Sequence, residues 1–271
     1  SASNYGDRGF TIGDDGTTDV TRIQYVSLTS AGNSADFGDL TVGAAEAAAT
    51  SNGATAFRMG GHNGSGTRQN VIESWTTSTL GNSSDHGDLS AACNYCHGNS
   101  DGTTGICVLG YTGSYSDTID RFTMASAGNA TDHGNLTYAR AYGGSGASVA
   151  TARMINFAGY GSGGTGGYHD DNDYITITTA GNAVDFGDLI QVTNSNGAVS
   201  SPVRSVCLGG SAPGGRINNI QYVTISTTGN AQDFGDITRQ AAGYGAGGST
   251  QTRGVITGCS PAPDATPIDF I

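Results

Sequence analysis

The chain repeats itself. A Gly-Asn pair occurs at Gly32-Asn33, Gly81-Asn82, Gly128-Asn129, Gly181-Asn182 and Gly229-Asn230, at spacings of 49, 47, 53 and 48 residues, and its surroundings fall into register with it. Four residues after each glycine stands Asp36, Asp85, Asp132, Asp185 or Asp233; the next residue is Phe37, His86, His133, Phe186 or Phe234; then comes Gly38, Gly87, Gly134, Gly187 or Gly235. The motif reads G-N-x-x-D-[FH]-G-[DN]-[LI]. A unit of about 48 residues cannot bury its own apolar face, so copies must stack on one another.

Each unit reads as strands. Seven residues before the Gly-Asn pair, Tyr25, Tyr174 and Tyr222 recur, and the adjoining position holds Val26, Trp75, Phe122, Ile175 and Val223, residues that suit a pleated, buried surface. Upstream lie short runs ending in glycine, such as Phe57-Arg-Met-Gly-Gly61 and Ile106-Cys-Val-Leu-Gly110, and small-residue stretches such as 44–50 and 141–150 that suit a crowded inner edge. Apolar residues on both parities of the third strand imply two buried faces. With 45 Gly and 13% charged residues, long helices are disfavoured. The expectation is one all-β domain over residues 1–271, a β-propeller of four-stranded blades. The count favours six blades with the first and last incomplete; five blades with a spare tail is the competing count, and a linear array stays open.

A net charge of −12, no lysine and scattered arginines give no basic stripe for a phosphate backbone, so nucleic acid is excluded as a partner. No stretch has the apolar length of a membrane span, and no signal-like segment is visible, so a soluble chain without membrane insertion is expected. The start at Ser1 suggests a processed protein or a fragment.

The order of glycine-terminated strand, Tyr-bearing strand and aromatic-Gly-Asp-Leu resembles kelch-type propeller repeats. The fuller pattern, G-N-A-x-D-F-G-D-L preceded by I-x-Y-V-T-I, is similar to kelch-like repeats in tail-fibre and other structural proteins of marine bacteriophages, with Phe or His where kelch repeats usually carry Trp. The resemblance covers nearly the whole chain and carries over no catalytic residue. It implies a virion or extracellular location, fibre or virion subunits as partners, and a homo-oligomeric assembly.

Loops of varying length on a constant scaffold are where binding resides. Tyr111, Tyr115, Tyr160, Tyr168, His169 and Asp170 are therefore the candidate ligand contacts, for a host-cell surface glycan or receptor, and 159–173 reads as the longest inserted loop. The acidic clusters Asp14, Asp15, Asp19 and Asp170, Asp171, Asp173 are candidate calcium sites, since calcium takes carboxylate and carbonyl oxygens. The repeated Asp and Gly of D-[FH]-G read as turn caps and positive-φ positions, with a calcium-binding ring of carboxylates as the alternative. His86 and His133 read as packing residues at the aromatic position, and Trp75 as core.

Cys93-Asn-Tyr-Cys96-His97 is a literal C-x-x-C-H, the c-type haem attachment pattern. It occurs once and in strand context, so haem is the minor reading beside a disulfide among Cys93, Cys96 and Cys107 or free thiols. Cys207 and Cys259 make the total odd. No nucleophile and base arrangement stands out. The leading expectation is a non-enzymatic attachment module without a required cofactor; a decoration protein without ligand and a haem or redox protein are the alternatives.

Overall fold

The computed structural model describes residues 8–12, 21–148, 150–241, 246–249, 253–257 and 268–271, and these contain no helix. They form small antiparallel sheets arranged as a β-propeller. The first sheet is Arg8–Ile12, Arg22–Ser27 and Ala35–Asp39. The second, from inner to outer edge, is Ala48–Ser51, Thr55–Met59, Gln69–Thr76 and Ser84–Cys93; the third is His97–Ser100, Thr104–Val108, Thr118–Thr123 and Thr131–Asn135. In the fourth, Gly144–Ser148 and Arg140–Ala141 both pair with Arg153–Thr165, followed by Tyr168–Thr176 and Val184–Thr193. The fifth is Gly197–Ser200, Arg204–Ala212, Gly215–Thr224 and Gln232–Ala241, and the sixth Ala246–Ser249, Gly254–Thr257 and Ile268–Phe270.

The repeat favours six blades, and the propeller counts five. Neither terminal sheet is a full blade: among the described residues the first has no inner strand and the last no outer one. Region 159–173, expected as a loop, is a β-hairpin between Arg153–Thr165 and Tyr168–Thr176.

The core lies between sheets rather than within them, which is why both faces of each are apolar. Phe10, Ile23, Phe37 and Trp75 fill the layer between the first two sheets, and Phe57, Met59, Leu89, Cys107 and Phe122 the next. Ile119, Leu136, Met154 and Ile175 follow, then Phe157, Phe186, Leu189 and Val223, and finally Val199, Leu208 and Ile237. The aromatic position of the motif sits in these layers. His86 packs edge-on against Phe57 and Phe122 (centroids 5.0 and 5.6 Å) while its Nε2 bonds the Thr123 carbonyl at 3.0 Å, as a packing residue would.

The repeated motif turns out to be two halves of an inter-sheet clasp. The Gly-Asn turn of one sheet grips the [FH]-G-[DN] segment of the sheet before it. Gly81, Gly128, Gly181 and Gly229 donate their N–H groups to the carbonyls of Phe37, His86, His133 and Phe186 at 3.0, 2.7, 2.6 and 2.7 Å. The neighbouring Asn82, Asn129, Asn182 and Asn230 accept from the N–H groups of Asp39, Asp88, Asn135 and Asp188 at 3.0 to 3.1 Å. The N–H two residues after each turn glycine, on Ser83, Ala130, Ala183 and Ala231, returns a bond to the carbonyl of Asp39, Asp88, Asn135 or Asp188. Contact is so close that a Cβ on Gly134 or Gly187 would lie 2.4 or 2.6 Å from the backbone of Gly181 or Gly229, and both glycines hold positive φ (144° and 131°). The repeated Asp caps its own turn, Asp132 Oδ1 accepting from Gly134 N–H (3.1 Å) and Asp233 Oδ1 from Gly235 N–H (3.2 Å).

A second repeated bond crosses each layer nearer the core. Glu73, Asp120, Asp173 and Gln221, at one register position of the third strand, accept from the backbone N–H of Thr41, Ser90, Thr137 and Ile190 in the preceding sheet, at 2.7 to 3.1 Å. The sixth sheet meets the first by a contact used elsewhere in the ring. Arg253 Nη1 donates to the Leu28 carbonyl at 3.3 Å, as Arg8 does to Thr77 (2.7 Å) and Arg153 to Ile225 (3.2 Å).

Gly187→Val places a branched side chain at positive φ against backbone. The expected loss exceeds about 3 kcal/mol, with Asn230→Ala costing about 1 kcal/mol for one lost bond; thermal melts of the two variants check the order. His133 is buried among Arg121, Asp132 and the Thr176 carbonyl, and desolvation holds its pKa below the usual 6.5. The unfolded chain therefore binds the proton first as pH falls below 6.5, and stability drops toward the lower folded value. His133→Phe, which restores the residue of Phe37 and Phe186, should flatten this part of the Tm against pH curve.

Candidate functional site

The inner strands enclose an axial cavity of about 290 Å³ whose lining comes from all six sheets, from Phe10 to Gly247. Its wall carries a feature hidden in the repeat. Two residues before the inner strands that start at Ala48, His97, Gly144 and Gly197 stand Glu46, Tyr95, Tyr142 and Ser195, with φ of 56°, 51°, 62° and 52°. Non-glycine residues visit this left-handed region at a cost of roughly 1 to 2 kcal/mol each, and such strain clusters at sites that use it. Backbone bonds link the positions around the axis: Ser195 N–H donates to the Tyr142 carbonyl at 2.7 Å, and Tyr142 N–H to that of Tyr95 at 3.4 Å. Tyr244, at the same spacing before Ala246, lies outside the described residues.

The side chains make a polar and aromatic mouth. The rings of Tyr95 and Tyr142 lie 4.0 Å apart at 31°. Glu46 Oε2 accepts from Asn94 Nδ2 at 2.8 Å and pairs with His62 Nε2 at 3.2 Å. Burial, with hydrogen bonds to Tyr142 and Glu46, pushes the Tyr95 hydroxyl well above its usual pKa, so it stays protonated at any physiological pH. All four residues remain partly exposed.

The loop tyrosines singled out in the sequence join this mouth. Backbone bridges pair Asn94 with Tyr111 and Tyr111 with Tyr115, setting that hairpin beside Tyr95. Ala141, next to Tyr142, pairs with Tyr160. From there Tyr111, Tyr115, Tyr160 and Tyr168 form one chain of ring contacts at 5.7, 6.0 and 5.3 Å, with Arg68 over the Tyr111 face at 5.4 Å.

His169 and Asp170 are placed differently. His169 is buried, stacks on Tyr138 at 4.1 Å and contacts Asp171 at 3.2 Å, which makes it a packing residue. Asp170 is half-buried on the same strand. Asp173, read as a calcium ligand, is 1% exposed and spends its carboxylate on Arg140 (2.9 Å), Asn156 (3.0 Å) and Thr137 (2.8 Å). A buried carboxylate neutralised in this way is a structural acceptor, so Asp170, Asp171 and Asp173 do not make one cation site. Asp14, Asp15 and Asp19 lie outside the described residues.

The C-x-x-C-H segment does not fit a haem. Cys93 and Cys96 turn into the layer between the second and third sheets, where the Cys96 thiol meets the Met59 carbonyl and the Ala48 N–H (3.2 Å). His97 turns the other way, toward Arg140, Asn156 and Asp173 of the fourth sheet, and burial pushes its pKa down to about 4. Thiols and imidazole on opposite faces of one sheet cannot hold one macrocycle. Cys93, Cys96, Cys107 and Cys207 are free thiols rather than disulfide partners, and Cys259 lies outside the described residues.

The axial residues escaped the sequence reading, although a bulky Tyr or Glu recurring inside otherwise Gly and Ala-rich stretches was available as a signal. Ser195→Gly, which keeps the N–H bonded to Tyr142, should relieve the left-handed strain and stabilise the fold by about 1 kcal/mol, read as a raised Tm. No family model matches the chain, and no curated protein matches it.

Proposed function

We propose that this propeller is a non-enzymatic recognition module that holds a surface glycan across its axial mouth, as part of a virion fibre or similar extracellular assembly. The observation that carries the reading is the convergence of Glu46, Tyr95, Tyr142 and Ser195, in strained conformations, on one cavity, with the ring chain of Tyr111, Tyr115, Tyr160 and Tyr168 joined to it through Asn94 and Ala141. Tyrosine faces pack on the apolar faces of sugar rings while their hydroxyls, with the Glu46 carboxylate, meet the sugar hydroxyls. Concave sites with a few convergent polar groups are the usual ligand sites. The likeness of the repeat to kelch-like repeats of phage structural proteins supports the setting.

The test is binding of the purified chain to surface polysaccharide extracted from candidate host bacteria. Saturable binding is expected, with Tyr95→Ala and Tyr142→Ala each weakening it by at least about tenfold, or ~1.4 kcal/mol, while Trp75, buried between sheets, is left unaltered. A chelator arm reports on Asp14, Asp15 and Asp19. A folded wild-type chain that binds none of the polysaccharides would overturn the reading in favour of a structural subunit without ligand.

A further inference from the structure

The structure assigns a second site, away from the tyrosine mouth: we infer that Cys93, Cys96 and Cys107 form a three-thiolate site for a soft monovalent cation, Cu(I). Two strands and the crossing between their sheets meet there. Cys93 ends the outer strand of the second sheet, Cys96 lies in the crossing to the third, and Cys107 stands on that sheet's second strand. Their sulfur atoms lie within 4.8 Å of one another, the only such group of three ligand-bearing side chains among the described residues. A cation held about 2.3 Å from each sulfur centres a triangle with edges of about 4 Å, so the observed spread closes on the ion with small side-chain movements.

Three further features suit an ion there. Gly60, at φ 61°, flanks the sulfurs; a Cβ on it would stand 2.6 Å from the Cys93 sulfur and 3.1 Å from that of Cys96, so glycine leaves the space clear. Arg58, fully buried, sits in electrostatic reach of Cys93 and Cys96, and its Nε has no hydrogen-bond partner among the described residues. Its charge is shared with the buried Glu73 carboxylate 3.6 Å away, so it offsets part of the net negative charge of a copper trithiolate. Cys96 lines the axial cavity, which gives an ion a way in.

The donor set selects the metal. Thiolates prefer soft cations, whereas structural zinc takes four ligands, and the neighbouring His97 faces another layer. Three sulfurs suit trigonal Cu(I). Binding is ligand exchange without electron transfer: three S–H bonds release three protons to solvent as three Cu–S bonds form.

The experiment titrates Cu(I) into the fully reduced chain under anaerobic conditions, against a Cu(I)-specific colorimetric chelator. Expected are one retained copper per chain, a sulfur-to-copper charge-transfer band, and protection of the three thiols from alkylation. Cys96→Ser and Cys107→Ser should lose the copper, while Cys207→Ser, in another core layer, should keep it; circular dichroism of each apo variant confirms folding. If a serine variant does not fold, thiol protection in the wild-type chain, mapped by mass spectrometry, decides the matter. Wild-type protein that surrenders copper as readily as folded Cys107→Ser, or whose protected thiols are not these three, would overturn the assignment.

Discussion

The clasp between neighbouring sheets is the interaction on which everything else rests. A four-stranded sheet of this size has two apolar faces and no means of hiding either alone. The layers of Phe, Leu, Ile and Met supply the driving force for stacking, but apolar contact is non-directional and would not fix how one sheet sits on the next. The bonds between each Gly-Asn turn and the preceding [FH]-G-[DN] segment do fix it, and the Glu73, Asp120, Asp173 and Gln221 bonds fix it a second time nearer the core. The two sets hold each sheet at the rim and in the middle. The inner strands are thereby set close enough to need Gly and Ala, and the cavity at the axis follows from that closeness.

The site depends on the same geometry. Once the inner strands converge, the chain must enter each of them through a sharp turn, and the residue taking the left-handed conformation is carried to the mouth. Glycine would take that conformation freely; Glu46, Tyr95, Tyr142 and Ser195 take it at a cost. The same crossings place Cys93 and Cys96 beside Cys107, so rim chemistry and buried thiols are two products of one connection.

The fold was largely legible because the repeat is dense: glycine-terminated strands, the Tyr-bearing strand and the motif each recur at a fixed distance, and distance is what a sequence records. That Gly187 and Gly229-Asn230 touch was not legible, since contiguous residues of one motif bind different neighbours, one before and one after. The tyrosines on hairpins were visible as candidates, and backbone pairing through Asn94 and Ala141 drew them to one mouth. The acidic run at Asp170, Asp171 and Asp173 reads as one cluster in sequence, but the strand's pairing shifts register within it and Asp173 turns inward to Arg140 while Asp171 stays exposed. His97 is parted from the thiols that precede it because Cys93 ends the second sheet and His97 opens the third, facing the fourth.

The clasp has a direction: from the second sheet to the fifth, each unit's Gly-Asn turn grips the unit before it. Two genes of this kind that recombine at matching points within their repeats would encode a chain with more or fewer units whose internal junctions keep the same clasp. The hairpin between Arg153–Thr165 and Tyr168–Thr176 lies outside the clasp, which is how the fourth unit carries a 53-residue spacing without disturbing its neighbours. Inheritance can thus alter the number of units and the reach of their rims separately, while the bonds between consecutive units stay the same.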